Sequence, residues 1–353
     1  MQKPSFLGTL LPLIQAPMAG VQGSALAAAV SNAGGLGSLP CAMLSQQALH
    51  DELVQLKGLT DRPFNVNFFC HTPPVAHPDR EAVWRKTLAP YYAEHGLNLS
   101  AIPDGPGRAP FSQEAADILE PFKPAVVSFH FGLPEANLLA RVKSWGSKVL
   151  SSATTLDEAL WLQEHGVDAI IAQGLEAGGH RGMFLTEDIT TQMGTFALLQ
   201  QVVAAVHVPV IGAGGISTAQ GVSAAMTLGA SAVQIGTAYL LCPEATTSAL
   251  HRQALLSPAA RHTALTNLFT GRPARGIVNR IMRELGPISQ VPPAFPLATS
   301  AIAPLRAKAE ACASSDFTPL WSGQNASGCK PIPAGELTQE LAELVQSDSG
   351  ARL

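Results

Sequence analysis

The sequence predicts an α/β fold, a (β/α)8 TIM barrel with a helical C-terminal appendage. Three observations predict it. Short apolar, β-branched runs alternate with helical segments through residues 12–237, the pattern of buried parallel strands joined by crossover helices. Glycine turns follow several of these runs, most densely in VPVIGAGGISTAQGVSAAMTLGASAVQIGT at 208–237. The composition is 46% hydrophobic and 14% charged, with 31 glycines in 353 residues, so few charges need placing on strands covered on both faces. A doubly wound open sheet is the alternative arrangement of the same elements.

The elements follow in order. Residues 12–16 (PLIQA) form the first strand, turned by Pro17, Met18, Ala19 and Gly20. An alanine-rich helix at 24–32 stops at Gly34, and 36–39 is the second strand. An amphipathic helix at 46–59 leads to the third strand, 64–69 (FNVNFF), with Asn65 and Asn67 on one side. Prolines at 73, 74, 78, 103, 106 and 110 then bracket one helix, about 80–96. A connection this long is an excursion, about 71–110, near the barrel mouth. Helix 113–122, strand 125–129 ending at His130, helix 135–145 and strand 148–152 resume the alternation. Helix 155–165 carries a capping box of Thr155 and Glu158. Strand 169–172, helix 196–206 and strands 208–211 and 232–235 complete the set of eight, with Ser217 spaced to cap the helix between the last two. After Thr237 the segments 244–255, 258–265, 302–312 and 337–345 have helical patterns and no strand pattern remains. The chain therefore divides into a barrel at 1–245 and a helical region at 246–353 that packs on it and covers its site.

The balance of charge bounds the partners. A net charge of −4 disfavours nucleic acid and anionic membranes. Cys41, Cys70, Cys242, Cys312 and Cys329 are scattered without CxxC spacing, as expected of reduced thiols in the cytoplasm. The apolar run 7–14 follows Lys3 but is interrupted by Pro12 and closed by Gln15, so it is expected to be a strand and not a signal peptide. No apolar run reaches membrane-spanning length.

Barrel chemistry sits at the C-terminal ends of strands. The groups there are Met18, Ser38, residues 67–70, His130, Ser151, Ser152, Gln173, Gly212 and Gly236. No lysine is present for Schiff-base chemistry, no facing carboxylate pair for glycoside hydrolysis, and no histidine–aspartate cluster for a metal. Gly212, Gly214 and Gly215, and again Gly236 and Thr237, follow a strand and open a helix, which makes a phosphate socket. A site so poor in reactive groups points to a phosphorylated cofactor that carries the chemistry. An apolar floor with Gln15, Ala16, Pro17, Met18, Asn67 and Gln173 suits a flavin ring, although Met18 is equally a core filler. His130 is the general acid–base candidate, with a hydrogen-bonded core histidine as the alternative. His180, beside Gly178 and Gly179, belongs to the substrate side. Arg272, Arg275 and Arg280 either bind an anion or tie the tail to the barrel by salt bridges.

These residues resemble the nitronate monooxygenases, formerly called 2-nitropropane dioxygenases, of the histidine-containing class. The matching segments are PLIQAPMAG (12–20), AAAVSNAGGLGSL (27–39), PFNVNFF (63–69), VVSFHFG (126–132), SATTLDEALWLQEHGVDAIIAQGLEAGGHRG (152–182), PVIGAGGI (209–216), GASAVQIGTAYLLCPE (229–244), GRPARGIVNR (271–280) and WSGQ (321–324). The resemblance implies non-covalent FMN, with Gln15, Ala16, Pro17, Met18 and Asn67 at its ring. Gln173, Gly178 and Gly179 would line it, while Gly214, Gly215, Gln234, Gly236 and Thr237 would hold its phosphate and ribityl chain. It implies that His130 is catalytic and that alkyl nitronates, such as propionate 3-nitronate, are oxidised with O2 to a carbonyl compound and nitrite through one-electron reduction of the flavin. The likeness loosens at 293–311, where some relatives carry tyrosines and a lysine and this chain has Phe295, Thr299 and Ala303 on the substrate side. That departure leaves a larger or more apolar substrate open. An FMN-dependent NAD(P)H:quinone or enoyl-thioester reductase of the same fold is the competing expectation.

Overall fold

The computed structural model describes residues 6–75, 77–102 and 108–350. Pro103, Pro106 and Lys3, which entered the reading above, lie outside them. In chain order the strands are β1 (Leu13–Gln15), β2 (Gly37–Pro40), β3 (Phe64–Phe69), β4 (Val126–His130), β5 (Lys148–Ala153), β6 (Ala169–Gln173), β7 (Gly179–His180), β8 (Val210–Ala213), β9 (Ala232–Ile235), β10 (Thr263–Thr266) and β11 (Ala274–Ile277). The helices are α1 (Ser24–Asn32), α2 (Gln46–Leu59), α3 (Pro78–Glu94), α4 (Gln113–Leu119), α5 (Ala136–Ser144), α6 (Leu156–Glu164), α7 (Thr195–Ala205), α8 (Ala219–Thr227), α9 (Ala249–Leu256), α10 (Arg280–Leu285), α11 (Ala298–Ala311) and α12 (Ala334–Gly350).

Eight strands form one parallel sheet in the order β1-β9-β8-β6-β5-β4-β3-β2. Its two ends meet. Ile14 bridges Leu36 in parallel, the Gln15 N–H donates to Leu36 O at 2.9 Å, and the Leu36 N–H donates to Leu13 O at 2.8 Å. The sheet is therefore a barrel, and the open-sheet alternative is excluded. Inside it, Ile14, Leu36, Val126, Leu150, Ile171 and Ile211 make an apolar plug. On the β2–β4 side the plug gives way to amides and hydroxyls. Asn65 Nδ2 donates to Ser38 Oγ (3.0 Å) and Ser128 Oγ (2.9 Å), and Asn67 Nδ2 donates to Ser128 Oγ (2.9 Å). A larger apolar shell joins the outer strand faces to the helices around them.

Two helix starts differ in detail from the sequence expectation. Thr218, not Ser217, caps α8 and accepts from the Gly221 N–H; Ser217 is buried with its hydroxyl unpartnered. Thr155 caps α6 as expected, but Glu158 does not reciprocate to it. Its carboxylate accepts from Thr154 N and Oγ1 and from Phe184 N, so the same side chain caps the helix and anchors the loop after β7.

The tail is not helical throughout, which corrects the reading of 258–265 as a helix. Only Pro258–Arg261 makes a helical turn. The segment TALT that follows is β10, antiparallel to β11, and β11 pairs in turn with β7 from the loop after β6. Four residues give too short a signal to separate strand from helix by period, and their partners lie far away in sequence. This small sheet stitches the tail to the barrel mouth. Arg275 adds to the stitching by donating from Nε to Leu175 O at 2.9 Å, and Arg272 donates to Met183 O. These two ties are hydrogen bonds to carbonyls, whereas Arg280 forms the expected salt bridge, bidentate to Glu94 at 2.7 and 2.8 Å. The excursion helix α3 packs on α11, with Trp84 Nε1 donating to Ala298 O and Tyr92 Oη to Ala301 O. No described helix is long and apolar enough to cross a membrane.

Candidate active site

A pocket opens at the C-terminal ends of the barrel strands and holds about 1350 Å³ of non-protein space, its open mouth included. It lies where barrel folds place their chemistry, at the strand C-terminal ends. The wall is built strand by strand. The turn after β1 gives Ala16, Pro17 and Met18; β3 gives Asn67 and Phe69; β4 gives Ser128 and His130; β5 gives Ser152; β6 gives Gln173. The loop after β6 gives Gly178, Gly179 and His180, the turn after β8 gives Gly214 and Gly215, and β9 with its turn gives Gln234, Gly236 and Thr237. The tail closes one side with Trp321, Gly323 and Asn325.

Three expected residues are not on this wall. Gln15 is wholly buried behind it, where its Oε1 accepts from Ser38 N and its Nε2 donates to Gln22 Oε1. Its amide is spent on joining β1 to β2. Phe295 stands behind His180, with ring centroids 5.4 Å apart. Thr299 directs its hydroxyl to Phe269 O at 3.2 Å.

The glycine cradle is sterically enforced at two positions. Gly214 and Gly215 have φ of +119° and +70°, which side chains rarely adopt. A Cβ on Gly214 would also stand 2.6 Å from Thr195 Oγ1. The Glu176 carboxylate holds Thr195 in that place by accepting from its N–H and its hydroxyl, both at 2.7 Å. Next to the cradle, Gln234 Oε1 is buried without a hydrogen-bond partner. Such an acceptor is costly unless a ligand donates to it. An orphaned acceptor beside a turn of free backbone fits a phosphorylated cofactor that carries N–H or O–H groups. Among the described residues no group of three or more His, Cys, Asp or Glu is placed to hold a metal.

His130 faces this cradle across the pocket. Its Nε2 is 3.1 Å from the His180 carbonyl and its Nδ1 is 3.1 Å from Ser152 Oγ. A carbonyl only accepts, so in the neutral ring Nε2 carries the proton and Nδ1 accepts from Ser152. Burial, reinforced by Arg272 and Arg181, brings the His130 pKa down to about 4 against the opposing pull of the His180 carbonyl. The ring is neutral at pH 7. Gln173 braces the same loop, with Nε2 on His180 O and Oε1 on the Gly182 N–H. Arg181, fully buried, spends its guanidinium on Gln173 O, Gly174 O and Gln192 Oε1.

Some wall residues escaped the sequence reading. Ser128 had a signal in the alternation of β4. Arg108, at the far end of the excursion after β3, and His251, on α9, had none, because both lie many residues from a strand end.

Comparison with known proteins decides the family. The family model for nitronate monooxygenase matches residues 2–343. The chain belongs to the nitronate monooxygenase family. It is 43% identical to a nitronate monooxygenase of Pseudomonas aeruginosa over 96% of this chain and 97% of that one. It is 42% identical to another from Paraburkholderia phytofirmans, covering 97% and 94%. A solved nitroalkane oxidase from Streptomyces ansochromogenes superposes with a TM-score of 0.89 at 39% identity, covering 97% and 98%. FabK from Thermotoga maritima gives a TM-score of 0.70 at 25% identity, covering 98% and 97%. As a nitronate monooxygenase family member the chain is an oxidoreductase.

Proposed function

We propose that this chain is an FMN-dependent monooxygenase that oxidises alkyl nitronates, such as propionate 3-nitronate, with O2 to a carbonyl compound and nitrite. The unpartnered Gln234 Oε1 beside the Gly214–Gly215 turn carries the cofactor part of this reading, because a cofactor bound there would supply the missing donor. FMN, when bound, would supply the one-electron redox chemistry between the nitronate and O2. The chain's residues do the rest. Backbone N–H groups around Gly214, Gly215, Gly236 and Thr237 hold the phosphate without a lysine. Ala16, Pro17, Met18 and Asn67 flank the ring, and Gln234 accepts from the cofactor. Gly178 and Gly179 allow the loop after β6 to approach closely.

His130 has two conceivable roles, and its electrostatics choose between them. With a pKa near 4 it is a weak base, poorly matched to removing a carbon proton at neutral pH. Its Nε2–H is a donor that an anion can share with the His180 carbonyl. His130 therefore orients a preformed nitronate, and neutral nitroalkanes are slow substrates. No carboxylate lines the described wall, so an anionic substrate meets no repulsion there.

The test is the spectrum of the purified protein, followed by anaerobic addition of propionate 3-nitronate and, separately, of NADH or NADPH. Flavin absorbance, bleaching by the nitronate alone and aerobic nitrite release are expected. The likeness to FabK keeps the reductase reading alive, and rapid bleaching by NADH or NADPH without nitrite release would favour it. Colourless protein that FMN cannot reconstitute defeats both. Free thiols at all five cysteines agree with a cytoplasmic setting.

A further inference from the structure

Arg108 is the one charged side chain, histidines aside, on the described pocket wall. It differs from the other buried arginines nearby. Arg181 spends its guanidinium on two carbonyls and an amide oxygen, and Arg275 reaches Leu175 O and Thr263. Arg272 leaves its buried Nε unpartnered but donates to Met183 O, lies over the Phe131 ring and is not on the pocket wall. Arg108 has a buried Nη1 with no hydrogen-bond partner, and its guanidinium rests 5.5 Å from the Phe295 ring centroid. The other charge it feels is Arg306, also positive. Burial lowers its pKa to about 10, which leaves it protonated at neutral pH. A half-buried guanidinium that faces the pocket without a counter-ion is a ready partner for an anion from outside the chain.

Arg108 and His130 are carried by different elements, on either side of one cluster of Phe69, Phe131 and Phe295. Arg108 belongs to the excursion at the mouth, whereas His130 ends a barrel strand. His130 has Phe69 and Phe131 as its ring neighbours, at 6.0 and 4.6 Å, and Arg108 has Phe295. His180 stands by both groups and is held neutral by burial, so it does not compete for the anion. A guanidinium fork matches the two oxygens of a carboxylate.

On the nitronate reading above, we propose that Arg108 is a specificity-determining residue: it pairs with a carboxylate carried by the substrate at the end remote from the nitronate. The apolar rings beside it surround the carbon chain between the two groups.

The experiment compares FMN-loaded wild type, Arg108→Gln and Arg108→Lys on propionate 3-nitronate and on propyl 1-nitronate, which lacks the carboxylate. Loss of one charge-assisted pair should reduce the preference for propionate 3-nitronate, as a ratio of kcat/KM values, by roughly 10- to 100-fold in Arg108→Gln. The reduction should appear mainly in KM, and Arg108→Lys should recover part of it. In parallel, calorimetric titration with propionate should show binding to wild type that is lost in Arg108→Gln and retained more weakly in Arg108→Lys. An unchanged preference ratio, or equal propionate binding by wild type and Arg108→Gln, overturns the proposal. If wild type turns over neither nitronate, the functional reading fails, while propionate binding still decides the role of Arg108.

Discussion

The hydroxyl of Ser152 lies 3.1 Å from Nδ1 of His130, and since Nε2 donates to the carbonyl of His180 the hydroxyl is the donor. The His180 carbonyl thereby fixes which nitrogen carries the proton, and Ser152 supports that tautomer by donating to the other. With a nitronate substrate, His130→Ala should lower kcat/KM by roughly 100-fold or more, because the oriented donor is gone. Ser152→Ala removes one neutral hydrogen bond and should cost about tenfold, with bound FMN unchanged. Wild-type turnover by His130→Ala, measured as nitrite release, would show that the histidine is a packing residue.

Gln234 offers an asymmetric test. Its buried Oε1 has no partner in the protein, so Gln234→Leu removes an unsatisfied acceptor from the cofactor-free chain. Apoprotein melting should stay the same or rise. FMN affinity should fall roughly 5- to 100-fold, the worth of one buried hydrogen bond to a ligand. Fluorescence titration of the apoprotein measures it, and unaltered affinity would remove Gln234 from the cofactor site.

The cradle glycines differ from each other in a way that predicts rank. Gly215→Ala imposes a left-handed backbone on alanine, while its Cβ would meet only the Glu176 side chain, at 3.3 Å from Cβ and 3.6 Å from Cγ. Gly214→Ala adds a 2.6 Å approach to Thr195 Oγ1, whose hydroxyl is already committed to Glu176. Each should lose about 1–3 kcal/mol of stability, with Gly214→Ala the worse. Both should bind FMN more weakly. Equal melting temperatures for the two variants and wild type would contradict the strained turn.

The barrel was legible because its strands announce themselves. The helices at 24–32 and 46–59 and the strand at 64–69 agree with the sequence reading to the residue, where period and turn residues coincide. Gly214, Gly215 and Thr237 lie on the wall, as the glycine turns after strands suggested, whereas Gln234 was reached only through the family resemblance. The three-stranded stitch was not legible. It pairs a two-residue Gly-His strand with partners some ninety positions later, and neither shows a period. Gln15 was misplaced for a different reason. As the last residue of β1 it still belongs to the strand layer, where Ser38 and Gln22 claim its amide, and the pocket begins one residue later. Arg108 reaches the pocket only through the fold of the excursion, which no local pattern encodes.

Acid should unfold this protein through its buried histidines. Burial holds His71, His130 and His251 near pKa 4 and His180 well below its ordinary value. In the unfolded chain they titrate near 6.5. Between those values the unfolded state binds more protons than the folded one, so stability rises with pH through the window from 4 to 6.5 and levels off above it. At pH 5 each of the three near 4 should cost on the order of 1–2 kcal/mol relative to pH 7.5. His251 is 3% exposed with an unpartnered Nε2, and His251→Phe should flatten the slope with the loss of the ring's hydrogen bond to the Trp321 backbone. Thermal melting from pH 5 to 7.5 measures both effects. A melting temperature independent of pH over that range would mean that the folded protein admits protons to these rings, and the neutral state assigned to His130 would fall with it.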